Sequence, residues 1–217
     1  MSLILQREID KLKKNILGLS AIVEENFYRS VRAIEEGNTK LASQIIDSDP
    51  EIDKMEVDLE EECLKILALH QPVAVDLRFI IAVLKINASL ERIGDLAVKI
   101  ARCTESVHTA FVGKGKYDFV AMAERTRASV KQSLDALVGL DPDLARKVRE
   151  NDSEIDRMKH ETNGRIREDL RSNPDNADNL ITLLSVSRYL ERVADHASKI
   201  AEDVIYLVEG EIVRHQG

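Results

Sequence analysis

The sequence predicts an all-α protein built from two tandem three-helix bundles, six helices in all. The 217 residues contain only nine glycines and four prolines, about half of the usual share, so few positions break a helix. Apolar residues recur every three or four positions through most of the chain, as they do on the buried face of a helix. The second half repeats the order of the first, which indicates an internal duplication. We expect the first bundle to cover residues 1–113 and the second to cover residues 114–217.

The first helix of the first bundle follows an apolar stripe over residues 3–34. Gly37 ends this helix, because glycine commonly closes a helix, and Thr39 is the expected N-cap of the next one. Pro50 lies inside the second helix and is expected to kink or restart it, because proline lacks the amide hydrogen. After the break at Pro72, a third helix is predicted over about residues 76–111.

The second bundle begins with a helix over about residues 117–138. Asp141 and Pro142 then supply an N-cap and a first helical residue for the next helix, which is predicted to run to about residue 171. A turn that contains Asn173 and Pro174 follows, and the last helix is expected to reach about residue 213.

Composition and charge exclude several classes of protein. There are 31 Lys and Arg against 39 Asp and Glu, a formal charge of -8, which opposes direct binding of nucleic acid and is compatible with binding of cations. The longest apolar run, residues 79–84, is far shorter than the ~20 residues of a membrane span. The N-terminus runs directly into charged residues and has no secretory signal, so a cytoplasmic protein is expected.

One carboxylate pair recurs on the third helix of each half. Residues 81–103 match residues 181–203 at ten of 23 positions, and the matches include Glu91 with Asp95 and Glu191 with Asp195. Residues four apart share a helix face, and like charges at that spacing destabilise a helix. A basic partner or a bound cation must therefore offset their repulsion.

The preceding helices carry a second set of carboxylates at the same spacing. A segment that begins at Asp49 and includes Asp53 recurs at an offset of 103 as Asp152 and Asp156. If each pair of helices folds back about its turn, Asp53 lies level with Glu91 and Asp49 with Asp95. In the second half, Asp156 likewise lies level with Glu191 and Asp152 with Asp195. Each half is thus expected to gather four carboxylates at the end of its bundle away from the turn.

Clustered carboxylates suit hard or intermediate cations such as Mg, Mn, Fe or Zn. His160 and His196 would add imidazole ligands in the second half only. The alternative is that Asp49 merely caps a restarted helix, while the other carboxylates are solvated or pair with basic neighbours. Those neighbours are Arg92, Arg192, Lys99 and Lys199.

No motif indicates an enzyme. Glu105 and His108 form a lone Glu-x-x-His, whereas ferritin-like di-iron sites need two such motifs on separate helices. No serine or cysteine has a convincing base beside it. We therefore expect a protein that acts by binding.

Three segments of the sequence are distinctive as a combination: Gln71-Pro72-Val73-Ala74-x-Asp76-Leu77-Arg78, Leu90-Glu-Arg-Ile-Gly-Asp-Leu-Ala97-x-Lys-Ile-Ala101 and its second copy, Leu190-Glu-Arg-Val-Ala-Asp-His-Ala197-x-Lys-Ile-Ala201. With these segments the sequence resembles the PhoU family of bacterial phosphate-signalling regulators. The resemblance extends over the whole chain in length, helix order and duplication. The second copy lacks the Gln-Pro-x-Ala turn and has no Arg at position 178, so a contact made through Arg78 would be one-sided.

The resemblance implies a cytoplasmic regulator that restrains phosphate uptake and phosphate-starvation gene expression. Its implied partners are the ATPase of the phosphate ABC transporter and a sensor histidine kinase, with membrane association only through them, and a homodimer is plausible by similarity. It also implies metal at the Glu/Asp-x-x-x-Asp pairs, with iron or zinc first and magnesium or manganese next. Arg78, Arg92 and Arg192 are candidate contacts for a ligand or partner. Two other functions stay open: a metal-storage or di-metal redox protein, and a metal-free helical scaffold.

Overall fold

Six long helices build the molecule over the part of the chain that the computed structural model describes, which is residues 3–107, 117 and 119–211. No strand occurs within these ranges. The all-α prediction is therefore confirmed. The helices are α1 (Leu3–Glu36), α2 (Thr39–His70), α3 (Ala74–Arg102), α4 (Phe119–Gly139), α5 (Pro142–Ser172) and α6 (Ala177–Glu209).

The helices pack as two bundles that share one hydrophobic core. Helices α1, α2 and α3 contact one another in the first bundle, and α4, α5 and α6 do so in the second. Helix α3 packs on α6 as extensively as on the helices of its own bundle, and α1 also contacts α4. Buried side chains from both halves form one contiguous core. The two tandem bundles are confirmed, and they are joined face to face.

Most predicted helix starts agree with the structure. The Oδ1 atom of Asp141 accepts hydrogen bonds from the backbone N–H groups of Asp143 and Leu144, each at 3.0 Å, and Pro142 is the first residue of α5. The expected N-cap at Thr39 is wrong by one residue. Asn38 is the N-cap of α2, because its side-chain Oδ1 reaches the N–H of Leu41 at 3.0 Å.

Pro50 does not interrupt α2, which continues as one helix from residue 39 to residue 70. The predicted restart at this proline is therefore wrong, and Asp49 is an interior residue rather than an N-cap. Proline removes one hydrogen bond and costs ~3 kcal/mol in a helix interior. Burial of the α2 face that carries Ile45 and Ile52 against the rest of the bundle outweighs that cost.

Two helices are shorter than predicted. Helix α3 ends at Arg102 and passes into a 3-10 turn, Cys103–Glu105, in which the carbonyl of Cys103 accepts from the N–H groups of both Ser106 and Val107. Helix α6 ends at Glu209, where Gly210 takes a left-handed conformation with φ 76°. The predicted joint between the bundles, at residues 113–115, lies outside the described residues. The boundary between 113 and 114 accordingly stays a prediction.

Within the described ranges, none of the helices combines the length and the apolar character needed to cross a bilayer.

Candidate functional site

The first acidic cluster consists of Asp49 and Asp53 on α2 with Glu91 and Asp95 on α3. Burial and then the charges of Asp53 and Asp95 raise the pKa of Asp49 above its ordinary value. Burial and then the charge of Asp95 raise the pKa of Glu91, to which Asp53 and Glu56 add. The antiparallel packing of α2 on α3 thus brings all four predicted carboxylates close enough for their negative charges to repel one another.

Basic side chains lie against this first cluster. The Nε atom of Arg92 is 3.2 Å from Oε2 of Glu91, and its Nη1 atom is 3.4 Å from Oδ2 of Asp95. The Nζ atom of Lys99 is 3.8 Å from the same Asp95 oxygen. These contacts involve side chains that are half exposed or more on the basic side, so they stabilise the cluster only weakly.

The second acidic cluster consists of Asp152 and Asp156 on α5 with Glu191 and Asp195 on α6. Partial burial is the largest cause that raises the pKa of Asp195, to about 6, and the charges of the three other carboxylates add to it. Lys199 acts in the opposite direction. Burial and the charge of Asp156 likewise raise the pKa of Asp152, whereas Asp156 itself is exposed.

Lys159 is a member of the second cluster that sequence reasoning missed. Its Nζ atom lies 2.6 Å from Oε1 of Glu191, and both side chains are largely buried, with 29% and 17% of their surface exposed. The repeat offset of 103 aligns Lys159 with Glu56 of the first half. A comparison of the two halves at non-identical positions would have found it.

A groove of about 590 Å³ opens beside the second cluster, between the two bundles. It is lined by Lys85, Ala88 and Ser89 of α3, Asp152 of α5, and Asp195, Ser198, Lys199, Glu202 and Asp203 of α6. Lys85 pairs with the buried Asp203 at 3.4 Å, and its Nζ atom lies 4.6 Å from the ring centre of Tyr206. Sequence reasoning did not find this ion pair, because Ser185 replaces Lys85 in the second copy.

The two candidate histidines differ in their surroundings. Burial, and then the charges of Lys199, Arg92 and Arg192, lower the pKa of His196 to about 4, so the imidazole is neutral at pH 7. Its Nδ1 atom is buried and has no hydrogen-bond partner among the described residues. His160 is exposed on α5. The structure therefore places one histidine between the bundles and the other at the surface.

The arginines also differ. Arg92 contacts the first cluster and its charge reaches His196 of the second half, while Arg192 is exposed. Arg78 is partly buried, and its guanidinium lies beside the end of α6, where a Cβ atom at Gly210 would be 3.7 Å from Nη1. Arg78 therefore links the start of α3 to the C-terminal end of α6, where a positive charge is favourable.

The donor set of each cluster fits a hard or intermediate cation in kind, because it offers several carboxylate oxygens that repel one another. In the arrangement described, however, no three His, Cys, Asp or Glu side chains of residues 3–107, 117 and 119–211 converge on one point as metal ligands would. Several of these carboxylates instead form ion pairs with basic side chains. Binding of a cation would require the carboxylates to turn away from those partners.

Comparison with known proteins matches both halves of the chain to one family. The family model described as "PhoU domain" matches residues 16–104 and again residues 119–204. A protein named "Phosphate-specific transport system accessory protein PhoU homolog" from Pseudomonas putida is 36% identical over 213 residues, which cover 97% of this chain and 82% of that protein. The homolog of the same name from Aquifex aeolicus is 35% identical over 210 residues, covering 97% and 95%.

Two solved structures have the same fold. The crystal structure of PhoU from Pseudomonas aeruginosa superimposes with a TM-score of 0.89 at 33% identity and covers 95% of this chain and 99% of that one. The phosphate transport system regulatory protein PhoU from Streptococcus pneumoniae gives a TM-score of 0.88 at 25% identity, covering 96% and 99%. The family that the three sequence motifs predict is thereby confirmed: the chain belongs to the PhoU family.

Proposed function

We propose that this protein is a non-enzymatic regulator of phosphate transport, which restrains phosphate uptake and phosphate-starvation signalling when phosphate is plentiful. The observation that carries the proposal is the match to PhoU domains in both halves, together with relatives named as accessory proteins of the phosphate-specific transport system. The partners we propose are the ATPase of the phosphate ABC transporter and a sensor histidine kinase. The protein would reach the membrane only through them, as a cytoplasmic homodimer.

We further propose that the two acidic clusters bind metal ions. Iron or zinc is the first candidate and magnesium or manganese the next. The side chains that would hold the metal are Asp49, Asp53, Glu91 and Asp95 in the first cluster and Asp152, Asp156, Glu191 and Asp195 in the second. A bound cation would supply positive charge that offsets the repulsion seen in the raised pKa values of Asp49, Glu91, Asp152 and Asp195.

The neighbouring basic residues have a defined role in this proposal. Arg92 would release Glu91 and Asp95 for the cation and turn toward a partner or ligand, and the exposed Arg192 would be available to a partner or ligand at the second cluster. Neutral His196 would be available as an additional ligand beside Asp195, and so would the exposed His160 beside Asp156. Occupied clusters would tie α2 to α3 and α5 to α6, which rigidifies the surface offered to the partners.

Elemental analysis tests the metal proposal. The protein is purified without a metal-affinity tag and compared with the double variants Glu91→Ala/Asp95→Ala and Glu191→Ala/Asp195→Ala. We expect stoichiometric metal in the parent protein and loss of one cluster's share in each variant, with helical circular dichroism unchanged. Unchanged stoichiometry in both folded variants would overturn the assignment. Absence of metal even after loading would favour the metal-free scaffold.

Partner capture tests the regulatory proposal. The transporter ATPase and the cytoplasmic part of the sensor kinase from the same organism are each immobilised and challenged with the protein, with and without metal. We expect both to retain the protein, and deletion of its gene to derepress a phosphate-starvation reporter in high phosphate. Oxygen consumption by the iron-loaded protein with no effect on the reporter would instead identify the storage or redox alternative.

A further inference from the structure

The two acidic clusters differ in charge at a position of the second helix that faces the third helix of each bundle. The segment beginning at Asp49 repeats 103 residues later, so Glu56 on α2 corresponds to Lys159 on α5. Arg92 and Lys99 recur as Arg192 and Lys199, whereas Arg102, whose charge lowers the pKa of Asp49, is replaced by Glu202, whose charge raises the pKa of Asp152. Of these two reversals of charge, the one at Glu56 and Lys159 involves direct contact with a cluster carboxylate, because Lys159 forms an ion pair with Glu191.

In the first cluster this position adds a carboxylate. Asn87 of α3 donates from Nδ2 to the backbone carbonyl of Glu56 at 2.9 Å and lies 3.4 Å from its Oε1 atom. Only 1% of Asn87 is exposed, and its Oδ1 atom accepts no hydrogen bond from any residue that the structure describes. A buried oxygen acceptor and an extra carboxylate thus lie one helical turn from Glu91, which is where a cation would be attracted.

In the second cluster the same position holds a cation already. The Nζ atom of Lys159 lies 2.6 Å from Oε1 of Glu191, which is the counterpart of Glu91. This contact is more buried than the contacts of Arg92 in the first cluster. The counterpart of Asn87 is Ser187, whose hydroxyl donates to Oδ1 of Asn163 at 2.7 Å. At the second cluster, a buried polar atom without a hydrogen-bond partner among the described residues is the Nδ1 atom of His196, a nitrogen rather than an oxygen.

We propose that Lys159 is a built-in counter-cation of the second cluster, so that the second cluster binds fewer divalent cations, and binds them more weakly, than the first. This inference rests on the proposed binding of metal at both clusters. A metal ion at the second cluster must compete with an ammonium group for Glu191 and must also approach a positive charge. At the first cluster it meets Glu56 and the Asn87 oxygen instead.

The test uses Mn²⁺ as the probe and isolates one cluster at a time. In the Glu91→Ala/Asp95→Ala background, all bound Mn²⁺ reports the second cluster, and Lys159→Glu is added there. We expect about one additional Mn²⁺ equivalent by elemental analysis, or binding about tenfold tighter by calorimetric titration, because a positive charge a few ångströms from the cation is replaced by a negative one. Lys159→Gln, which only removes the charge, is expected to give a smaller gain in affinity.

The reciprocal change tests the first cluster. In the Glu191→Ala/Asp195→Ala background, Glu56→Lys is expected to weaken Mn²⁺ binding or to remove one equivalent. Lys131→Glu on the exposed face of α4 has the same formal charge change as Lys159→Glu and should leave Mn²⁺ binding unchanged. Circular dichroism checks that every variant remains helical.

The outcomes separate the two proposals. If the parent protein binds neither Mn²⁺ nor Fe, Zn or Mg after loading, metal binding fails, and this inference fails with it. If the parent binds Mn²⁺ at both clusters but folded Lys159→Glu, Lys159→Gln and Glu56→Lys leave affinity and stoichiometry unchanged, this inference alone is overturned. Lys159 would then only tie α5 to α6.

Discussion

A carboxyl group that is partly buried among other carboxylates holds its proton more tightly in the native state than in the unfolded chain. Asp195 is such a group: its pKa rises from 3.8 to about 6, first through burial and then through Glu191, Asp152 and Asp156, with Lys199 opposing. Between these two values the native state binds more protons than the unfolded state. The free energy of unfolding therefore falls as pH rises through this window, and the loss is complete above about pH 6.

Asp195→Asn should consequently stabilise the metal-free protein at pH 7.5, because it removes a charge that the fold disfavours. We expect a gain of about 1 kcal/mol, or a rise in melting temperature of ~2–4 °C, together with a weaker decline of stability from pH 4 to pH 7. Thermal denaturation in the presence of chelator measures both effects. Asp135→Asn, on an exposed face of α4, serves as the control and should change neither. A lower melting temperature for Asp195→Asn would contradict the argument.

The repeat allowed both acidic clusters to be predicted from the sequence, because carboxylates recur at matching distances from the two turns. It did not reveal Lys159 or Asp203. A search for repeated residues finds what the halves share, whereas Lys159 differs from Glu56 and Asp203 pairs with a lysine that has no counterpart. Partner choice between helices depends on three-dimensional packing, which one-dimensional spacing does not contain.

Helix ends depend on short-range chemistry and were predicted unevenly. The Asp141 cap was predicted correctly, because the preceding helix ends at Gly139, just before this Asp-Pro pair, whereas no such stop precedes Asp49 and Pro50. Asn38 and Thr39 are adjacent and both suit an N-cap, so their side-chain chemistry alone does not choose between them. Pro50 shows the reverse case, in which tertiary packing overrides a local signal.

The Asp141 cap supports a prediction about α5. Asp141→Ala leaves two N–H groups of the first turn without their acceptor, so we expect a loss of about 1 kcal/mol and a melting temperature lower by ~2–4 °C. Asp141→Asn retains an acceptor oxygen and should stay within about 0.5 kcal/mol of the parent. Urea denaturation followed by circular dichroism measures both variants. Equal destabilisation by Ala and Asn would show that the charge, rather than the hydrogen bonds, stabilises the helix start.

For the whole molecule, the packing of α3 on α6 matters most. Residues of rising number along α3 meet residues of falling number along α6: Arg78 lies beside Gly210, and Lys85 pairs with Asp203. The two central helices are therefore antiparallel, and apolar side chains from both bundles form one core around them. A shared core of this kind couples the unfolding of both halves.

We expect calorimetry to show a single unfolding transition rather than one for each bundle. Asp203→Ala should lower its midpoint and cost roughly 1–3 kcal/mol, because a buried carboxylate is lost and Lys85 keeps its charge at the bundle interface. The matched control is Glu161→Ala, which breaks an exposed ion pair with Arg157 and should cost less than about 0.5 kcal/mol. Two separated transitions in the parent protein would contradict the shared core.

The antiparallel pairing of α3 with α6 also gives one polypeptide the arrangement of a head-to-head dimer of a single three-helix unit. Two identical copies of such a unit would carry the same residue on both sides of the contact. Covalent fusion lifts that restriction, because each copy can mutate independently while the other preserves the shared interface. Glu56 in one copy and Lys159 in the other, or Lys85 against a serine, are differences that a symmetric dimer of identical chains is unable to encode.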